Sequence, residues 1–302
     1  MSAPVVLFVF NRPSHTQITV EALSKNEGAK ETPLIVYADG PRSVTEQRLC
    51  DEVVAVVSGF EKQFASLTLK RSAKNKGLAS AIIEGVSETL AQHESVIVME
   101  DDLVTDPQFL SYMNAGLDRY REDARVGSIH GYMYPTDVVL PETFFIRGGD
   151  CWGWATWRRA WAVFEQDSGV LMATLKEKKL VQKFNLDGAY PYFQMLKNQS
   201  LGRISSWAIR WHAALFIKDM LTLYPGTSYV KNIGMDGSGT HQDQSSQFSK
   251  EMACTIKKRE FIFPEKNEEN LKARFAIAQF WMSTQRGLHK WIWQFKTRKL
   301  KG

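Results

Sequence analysis

Cysteine is scarce in this chain. Only Cys50, Cys151 and Cys254 occur in 302 residues. They are odd in number and too widely spaced for a paired metal site, so neither a disulfide framework nor a zinc centre is expected, and a reducing cytoplasm fits best. Long apolar runs are missing as well: no segment has the length and hydrophobicity to span a bilayer. Met1-Ser2-Ala3-Pro4 and the short apolar run ending at Asn11-Arg12 lack the basic start and the apolar stretch of a signal peptide. Glycine-rich phosphate loops are absent too. The first strand is not followed by Gly-x-Gly-x-x-Gly and no Walker-type loop occurs, so hydride transfer to NAD and ATP hydrolysis have no support.

What is present is ordinary in bulk. The chain is 44% hydrophobic and 24% charged, enough for one large α/β domain or two smaller ones around a sizeable core. Its formal charge of +5 suits an anionic ligand or membrane surface. Nine Trp offer flat faces for stacking on sugars, although core packing accounts for most of them.

The most informative stretch is Val96-Ile97-Val98-Met99-Glu100-Asp101-Asp102-Leu103-Val104-Thr105-Asp106-Pro107. Four apolar residues predict a buried strand, which runs straight into three carboxylates. Ligands of open α/β sheets bind at the carboxyl ends of the strands. Three like charges there repel one another, and a divalent cation removes that cost; oxygen ligands of this kind suit Mg²⁺ or Mn²⁺, with substrate phosphates completing the shell. A solvated acidic turn is the plainer alternative.

The preceding chain alternates strand and helix. Val5–Phe10 is a strand stopped by Asn11-Arg12-Pro13, and Ser14 is expected to cap a helix to about Lys25. Leu34–Ala38 is a second strand, ended by Asp39-Gly40-Pro41-Arg42 and followed by a helix from about Val44 to Phe60. Ala65–Leu69 leads into Arg71, Asn75-Lys76-Gly77-Leu78 and a helix to about Leu90. This order predicts a parallel, doubly wound sheet. Each turn brings a polar handle to the same edge: Arg12; Asp39; Arg71 with Asn75 and Lys76; Glu100-Asp101-Asp102. An acid to contact a base, cations for phosphate and acids for metal describe a nucleoside diphosphate pocket.

The order Asn11-Arg12-Pro13, Tyr37-Ala38-Asp39-Gly40, Asn75-Lys76-Gly77-Leu78-Ala79 and Val98-Met99-Glu100-Asp101-Asp102-Leu103 resembles nucleotide-sugar glycosyltransferases of the GT-A fold. It is most similar to bacterial polysaccharide transferases related to the Golgi N-acetylglucosaminyltransferase I family, whose metal motif is also Glu-Asp-Asp-Leu. The resemblance covers roughly the first half. It implies a mostly parallel mixed sheet flanked by helices, with Asp39 on the nucleotide base, Arg12 on the donor, and Asp102 on the metal that bridges the diphosphate.

The second half supplies acceptor candidates. A helix from about Pro107 to Tyr120 precedes strands at Val126–Tyr132 and Phe144–Arg147. In the following Gly148–Trp161 segment, Trp152 and Trp154 lie among glycines, where a ring can wall a ligand; the same stretch resembles the Gly/Trp segment that separates donor from acceptor in GT-A enzymes. Trp157 and Trp161 are expected on one buried helix face, and His130 as a satisfied structural histidine. An inverting transferase needs a carboxylate base near the acceptor hydroxyl. Asp150 is the first candidate and Asp187, in a turn-forming loop, the second. Arg210, in a Trp-rich helix reaching Ile217, is a candidate for phosphate or acceptor, with a buried ion pair as the alternative. After a strand at Leu221–Tyr224, the glycine-rich loop Gly234–His241 is suited to wrap a diphosphate with backbone N–H groups. There His241 would close on the metal or phosphate, as in relatives that carry a metal-binding His.

From Leu271 onward the chain has no acid but many cations, with Phe275, Phe280, Trp281, Trp291, Trp293 and Phe295 among them. That composition describes a helix lying on an anionic membrane or, alternatively, packed on the catalytic domain. The expected organisation is therefore a nucleotide-sugar half (1–105), an acceptor half of the same domain (106–265) and a basic aromatic tail (266–302). The expected activity is metal-dependent transfer from a UDP-linked sugar to a saccharide, lipid-linked if the tail meets the membrane, in bacterial surface polysaccharide synthesis. Inversion rests on the resemblance alone, and no nucleic acid partner is expected. A sugar nucleotidyltransferase and a non-catalytic carbohydrate- or membrane-binding protein are the rivals.

Overall fold

Fully apolar strands need cover on both faces, and the alternation of such strands with helices provides it. The computed structural model describes residues 2–237 and 260–284; His241, Cys254 and the cations from Arg286 onward lie outside the described residues. The first half comprises β1 (Val5–Val9), α1 (Pro13–Ser24), β2 (Pro33–Ala38), α2 (Val44–Ser58), β3 (Ser66–Arg71), α3 (Leu78–Gln92) and β4 (Ser95–Glu100). There follow β5 (Leu103–Thr105), α4 (Phe109–Arg119), β6 (Val126–His130), β7 (Thr143–Arg147), β8 (Trp154–Trp157) and α5 (Arg158–Trp161). The remainder is α6 (Ser168–Glu177), α7 (Val181–Phe184), α8 (Tyr192–Ser200), α9 (Trp207–Ile217), β9 (Leu221–Pro225), β10 (Val230–Asn232) and α10 (Leu271–Thr284).

Eight strands form one sheet in the order β3-β2-β1-β4-β8-β6-β9-β7. The first four are parallel. β8 then enters antiparallel to both β4 and β6, β9 runs parallel to β6 and β7 antiparallel to β9. This is a mostly parallel mixed α/β sheet of the GT-A type. Every residue of β1 is buried, as are the central four of β4, so the two strands that carry Arg12 and the acids at their ends are anchored in the core.

Two local expectations change. Ser14 does not cap α1: Pro13 opens the helix and Arg12 takes the cap position without a side-chain cap bond, which leaves its guanidinium free for the acids. Trp157 and Trp161 are buried as expected but do not share one helix, since Trp157 ends β8 and Trp161 lies in α5.

Helix α10 is built into the fold. Ala273, Ala276, Ile277, Phe280 and Met282 are buried, and Arg274 pairs with Asp187 and approaches Glu269 at 3.6 Å. The Asn270 N–H donates to the Phe145 carbonyl at 2.8 Å. Of the two expectations for residues 271–284, the structure shows packing on the domain, with Trp281 half-buried and Leu271 exposed. No helix among the described residues is long and apolar enough to cross a membrane.

Candidate active site

The acids lie where β4 runs out. Glu100 is the last residue of that strand, and Asp101-Asp102 turn the chain into β5. Asp101 is 4% exposed, and its carbonyl accepts the Thr19 hydroxyl at 2.9 Å, tying the turn to α1. Arg12 reaches across from the end of β1, the neighbouring strand. Its Nη2 donates to Asp101 Oδ1 and, at 2.9 Å, to Asp102 Oδ2. The buried Arg12 Nη1 has no hydrogen-bond partner among the described residues.

One guanidinium thus faces three carboxylates. Burial, with Asp102 and Asp101 adding to it, pushes the Glu100 carboxyl up to about 8. Burial also raises Asp101, to about 6, against the pull of Arg12. For Arg12, burial works against the charge but the two aspartates outweigh it and hold the guanidinium above its ordinary range. Carboxyls that climb in this way report negative charge left uncompensated in a desolvated place.

The excess fits a divalent cation. Among the described residues no three His, Cys, Asp or Glu side chains converge as a ready-made cage. Mg²⁺ and Mn²⁺ sites that use one or two carboxylates and finish their shell with substrate phosphates do not require one. Asp102, with Asp101 or Glu100 beside it, would be the residue to hold one.

The glycine-rich segment crosses this turn. β10 pairs antiparallel with β5, Asn232 opposite Leu103, and the Ile233 N–H donates to the Asp102 carbonyl at 2.9 Å. At Gly234 a Cβ would stand 2.1 Å from Asp102 Oδ2 and 2.8 Å from its Cγ. Only glycine lets the loop lie this close to the carboxylate. Further on, Asp236 Oδ2 lies 3.1 Å from His15 Nε2 on α1, so the loop is attached on both sides of the acids.

The other predicted donor residues are placed differently. All four acceptor contacts of Asp39 are spent inside the chain: Oδ1 on the N–H groups of Gly40 and Lys76, Oδ2 on Asn75 Nδ2 and the Gly77 N–H, at 2.9–3.0 Å. Asn75 also bonds the Gly40 carbonyl at 2.9 Å. Asp39 shapes the loop before α3, and any base contact would come from that loop's backbone. The head of Arg71 goes to Asp51 on α2 and that of Lys76 to Glu84 on α3. Of the cations in the four turns, Arg12 alone meets the acids.

A second carboxylate, Asp150, lies in the loop before β8. Its Oδ2 accepts the hydroxyls of Tyr134 at 2.6 Å and Tyr224 at 3.0 Å, and its Oδ1 the Cys151 N–H at 2.8 Å. Nε2 of the fully buried His130 stands 3.9 Å from Oδ1 and accepts the Trp152 N–H at 3.2 Å, so it carries no proton there and His130 is structural. Burial raises the Asp150 carboxyl, but His130 and the three donors more than offset it and hold it below the usual range. Burial lowers His130 and keeps its ring neutral, which leaves the three donors to hold the charge. Asp150 is therefore an ionised carboxylate, 17% exposed.

Three predicted acceptor-side residues do not join it. Trp154 is 1% exposed and stacks on Trp207 at 5.1 Å between ring centroids; β8 turns it into the core. Arg210 donates to the backbone carbonyls of Ser206 and Gln166, and no ion pair to it is found among the described residues. Asp187 sits in a turn with φ of 56° and serves as the anchor for Arg274. Trp152 remains, half-buried with its ring 4.7 Å from Tyr132. Sequence reasoning missed Tyr134 and Tyr224, which no spacing connects to Asp150, and His212, whose Nδ1 lies 2.8 Å from the Gly149 carbonyl and holds the loop.

The profile of glycosyl transferase family 2 matches residues 5–202, a span that includes Arg12, the acids of β4 and Asp150. The chain belongs to this family. No curated protein sequence matches it. Among solved structures it is similar to residues 1–349 of TarS from S. aureus, at 13% identity and a TM-score of 0.44, over 78% of this chain and 61% of that one. It is also similar to the mannosyltransferase PcManGT from Pyrobaculum calidifontis in complex with GDP-Man and Mn²⁺, at 16% identity and a TM-score of 0.32, over 45% of this chain and 36% of that one. A cytidylyltransferase from Leptospira borgpetersenii is similar at 10% identity and a TM-score of 0.31, over 44% and 57%. The chain spans about three fifths of the TarS structure, and likenesses this distant say nothing about substrate.

Proposed function

We propose that this family 2 enzyme moves a sugar from a nucleoside diphosphate donor to a saccharide hydroxyl, with the donor at the Arg12–Asp102 edge and Asp150 as general base. The observation that carries the reading is the acid cluster at the end of β4, Asp101 buried and Glu100 and Asp102 partly so, answered by one guanidinium with a free N–H and approached closely by Gly234. In this reading the partnerless Arg12 Nη1 meets a donor phosphate oxygen, and Asp102 would hold Mn²⁺ or Mg²⁺. A divalent cation bound there would supply positive charge to the departing diphosphate.

The acceptor oxygen attacks the anomeric carbon while its proton passes to Asp150. The bond from that carbon to the phosphate oxygen breaks, and the electron pair leaves with the nucleoside diphosphate. Attack opposite the leaving group inverts the anomeric centre. UDP is our first choice of nucleotide, a bacterial surface polysaccharide the product class, and a lipid-linked saccharide the acceptor form. A sugar nucleotidyltransferase is disfavoured by the Asn11-Arg12-Pro13 turn, which is not the glycine-rich phosphate loop that chemistry needs after β1.

The test is thermal unfolding with UDP, GDP, CMP and dTDP, each with and without Mn²⁺. Stabilisation by one nucleoside diphosphate, lost with EDTA and in Asp102→Ala, is expected. No stabilisation by any of them would overturn the donor site.

A further inference from the structure

Two of the aromatic clusters differ in exposure. Trp154, Trp161, Trp207 and Trp211 pack on one another in the core and are buried. The second set forms a chain of rings around Asp150, drawn from four separate segments. Trp152 lies 4.7 Å from Tyr132, Tyr132 5.4 Å from Tyr134, Tyr134 5.4 Å from Trp281, and Trp281 4.2 Å from Tyr190. Trp152, Tyr190 and Trp281 are half-buried, so this set reaches solvent. The Tyr134 hydroxyl bonds Asp150 directly, which places the carboxylate inside the arc.

We propose that this arc is the sugar-binding subsite of the acceptor and that Trp281, on α10, is its specificity-determining wall. The proposal rests on the reading of Asp150 as the base. A carboxylate that accepts hydrogen bonds seeks hydroxyl donors, and flat rings beside it take the C–H faces of a pyranose; together they select a saccharide over a peptide or an acyl group. The arc needs α10, because without it Tyr134 and Tyr190 lose the ring that joins them. The Arg274–Asp187 pair is the clamp that sets this helix on the turn before Tyr190.

The test is saturation-transfer NMR on the full chain with Mn²⁺ and the nucleotide found above, using maltose, cellobiose and chitobiose as probes. At least one disaccharide should receive saturation from the wild type. Loss of one stacked ring should weaken that binding about fivefold in Trp281→Ala, with Trp281→Phe restoring most of it and Leu271→Ser, exposed at the start of α10, leaving it unchanged. Equal binding in Trp281→Ala, or no binding of any probe by the wild type, overturns the proposal. Nucleotide-induced thermal stabilisation on the same samples separates the two readings. If it persists while the sugars fail, the donor site stands and the arc falls; if it is absent from the wild type, the proposed function falls as well.

Discussion

Replacing Arg12 by Met should make stability fall with pH well beyond the range in which it falls in the wild type. Asp101 is buried and its carboxyl stands at about 6 instead of 3.8. A carboxyl whose folded pKa lies above its unfolded one stabilises the fold while protonated. That contribution is complete below the unfolded value and is lost as pH rises through the folded one. At 1.36 kcal/mol per pH unit, the wild type gives up about 3 kcal/mol from this group by roughly pH 6, where Arg12 halts the loss. Without the guanidinium the loss continues upward, towards the roughly 3–5 kcal/mol of a buried charge stripped of its partner. The deficit of Arg12→Met should be about 1 kcal/mol near pH 5, where Asp101 is mostly protonated in both proteins, and about 3–5 kcal/mol near pH 8. Met keeps the apolar stem, so lost packing contributes little. Urea unfolding across that range, without divalent cations, measures it. A deficit that does not change with pH would refute the reasoning, because it would mean that Arg12 acts by packing and not by answering Asp101.

Gly234→Ala should displace the Asp102 carboxylate, since the added Cβ would meet its oxygen at 2.1 Å; steady-state kinetics should show kcat/KM falling about 100-fold, as for an ångström-scale misplacement, with the fold retained by circular dichroism. Stabilisation by Mn²⁺ should increase between about pH 6 and pH 8.5, as protons leave Asp101 and Glu100, which stand near 6 and 8; a thermal shift independent of pH would contradict it. The acidic limb of the kcat/KM profile should lie below the ordinary carboxylate range, and Tyr224→Phe should move it up by about one pH unit, the equivalent of one hydrogen bond to the charged form; an unmoved limb would remove Asp150 from the role of base. Asp39→Ala should cost about 2–4 kcal/mol in chemical denaturation by freeing the backbone N–H groups of Gly40, Lys76 and Gly77 and the Asn75 side chain, and a loss below about 0.5 kcal/mol, that of an exposed polar residue, would count against its structural role.

The first half was legible because each of its strands is an unbroken apolar run ended by a polar turn, and parallel neighbours then bring those turns to one edge. Arg12 and the acids of β4 were found in this way. What adjacency in the sheet does not reveal is how side chains divide their hydrogen bonds. Asp39 looks like a ligand group in sequence, yet the Asn75-Lys76-Gly77 turn folds onto it and takes every acceptor. β8 was misread because Trp-Ala-Thr-Trp carries no alternation: it lies between two strands under helices on both sides, so all four residues are buried. Trp152 and Trp154 are two residues apart and share the same glycine-rich context, but one precedes the strand and faces the Asp150 arc while the other enters it and is sealed. The aromatic character of α10 suited a membrane or the domain equally, and the structure shows the second. Tyr134 follows β6 and Tyr224 lies in the neighbouring β9, so their meeting at Asp150 depends on sheet order and leaves no trace in local spacing.

The most direct measurement is Mn²⁺ binding followed by electron paramagnetic resonance, with and without UDP, in the wild type and in Asp102→Ala. The account predicts weak Mn²⁺ binding alone, at least about tenfold tighter binding when a nucleoside diphosphate shares the shell, and loss of both in Asp102→Ala. Mn²⁺ binding that ignores the nucleotide, or that survives the loss of Asp102, would contradict it.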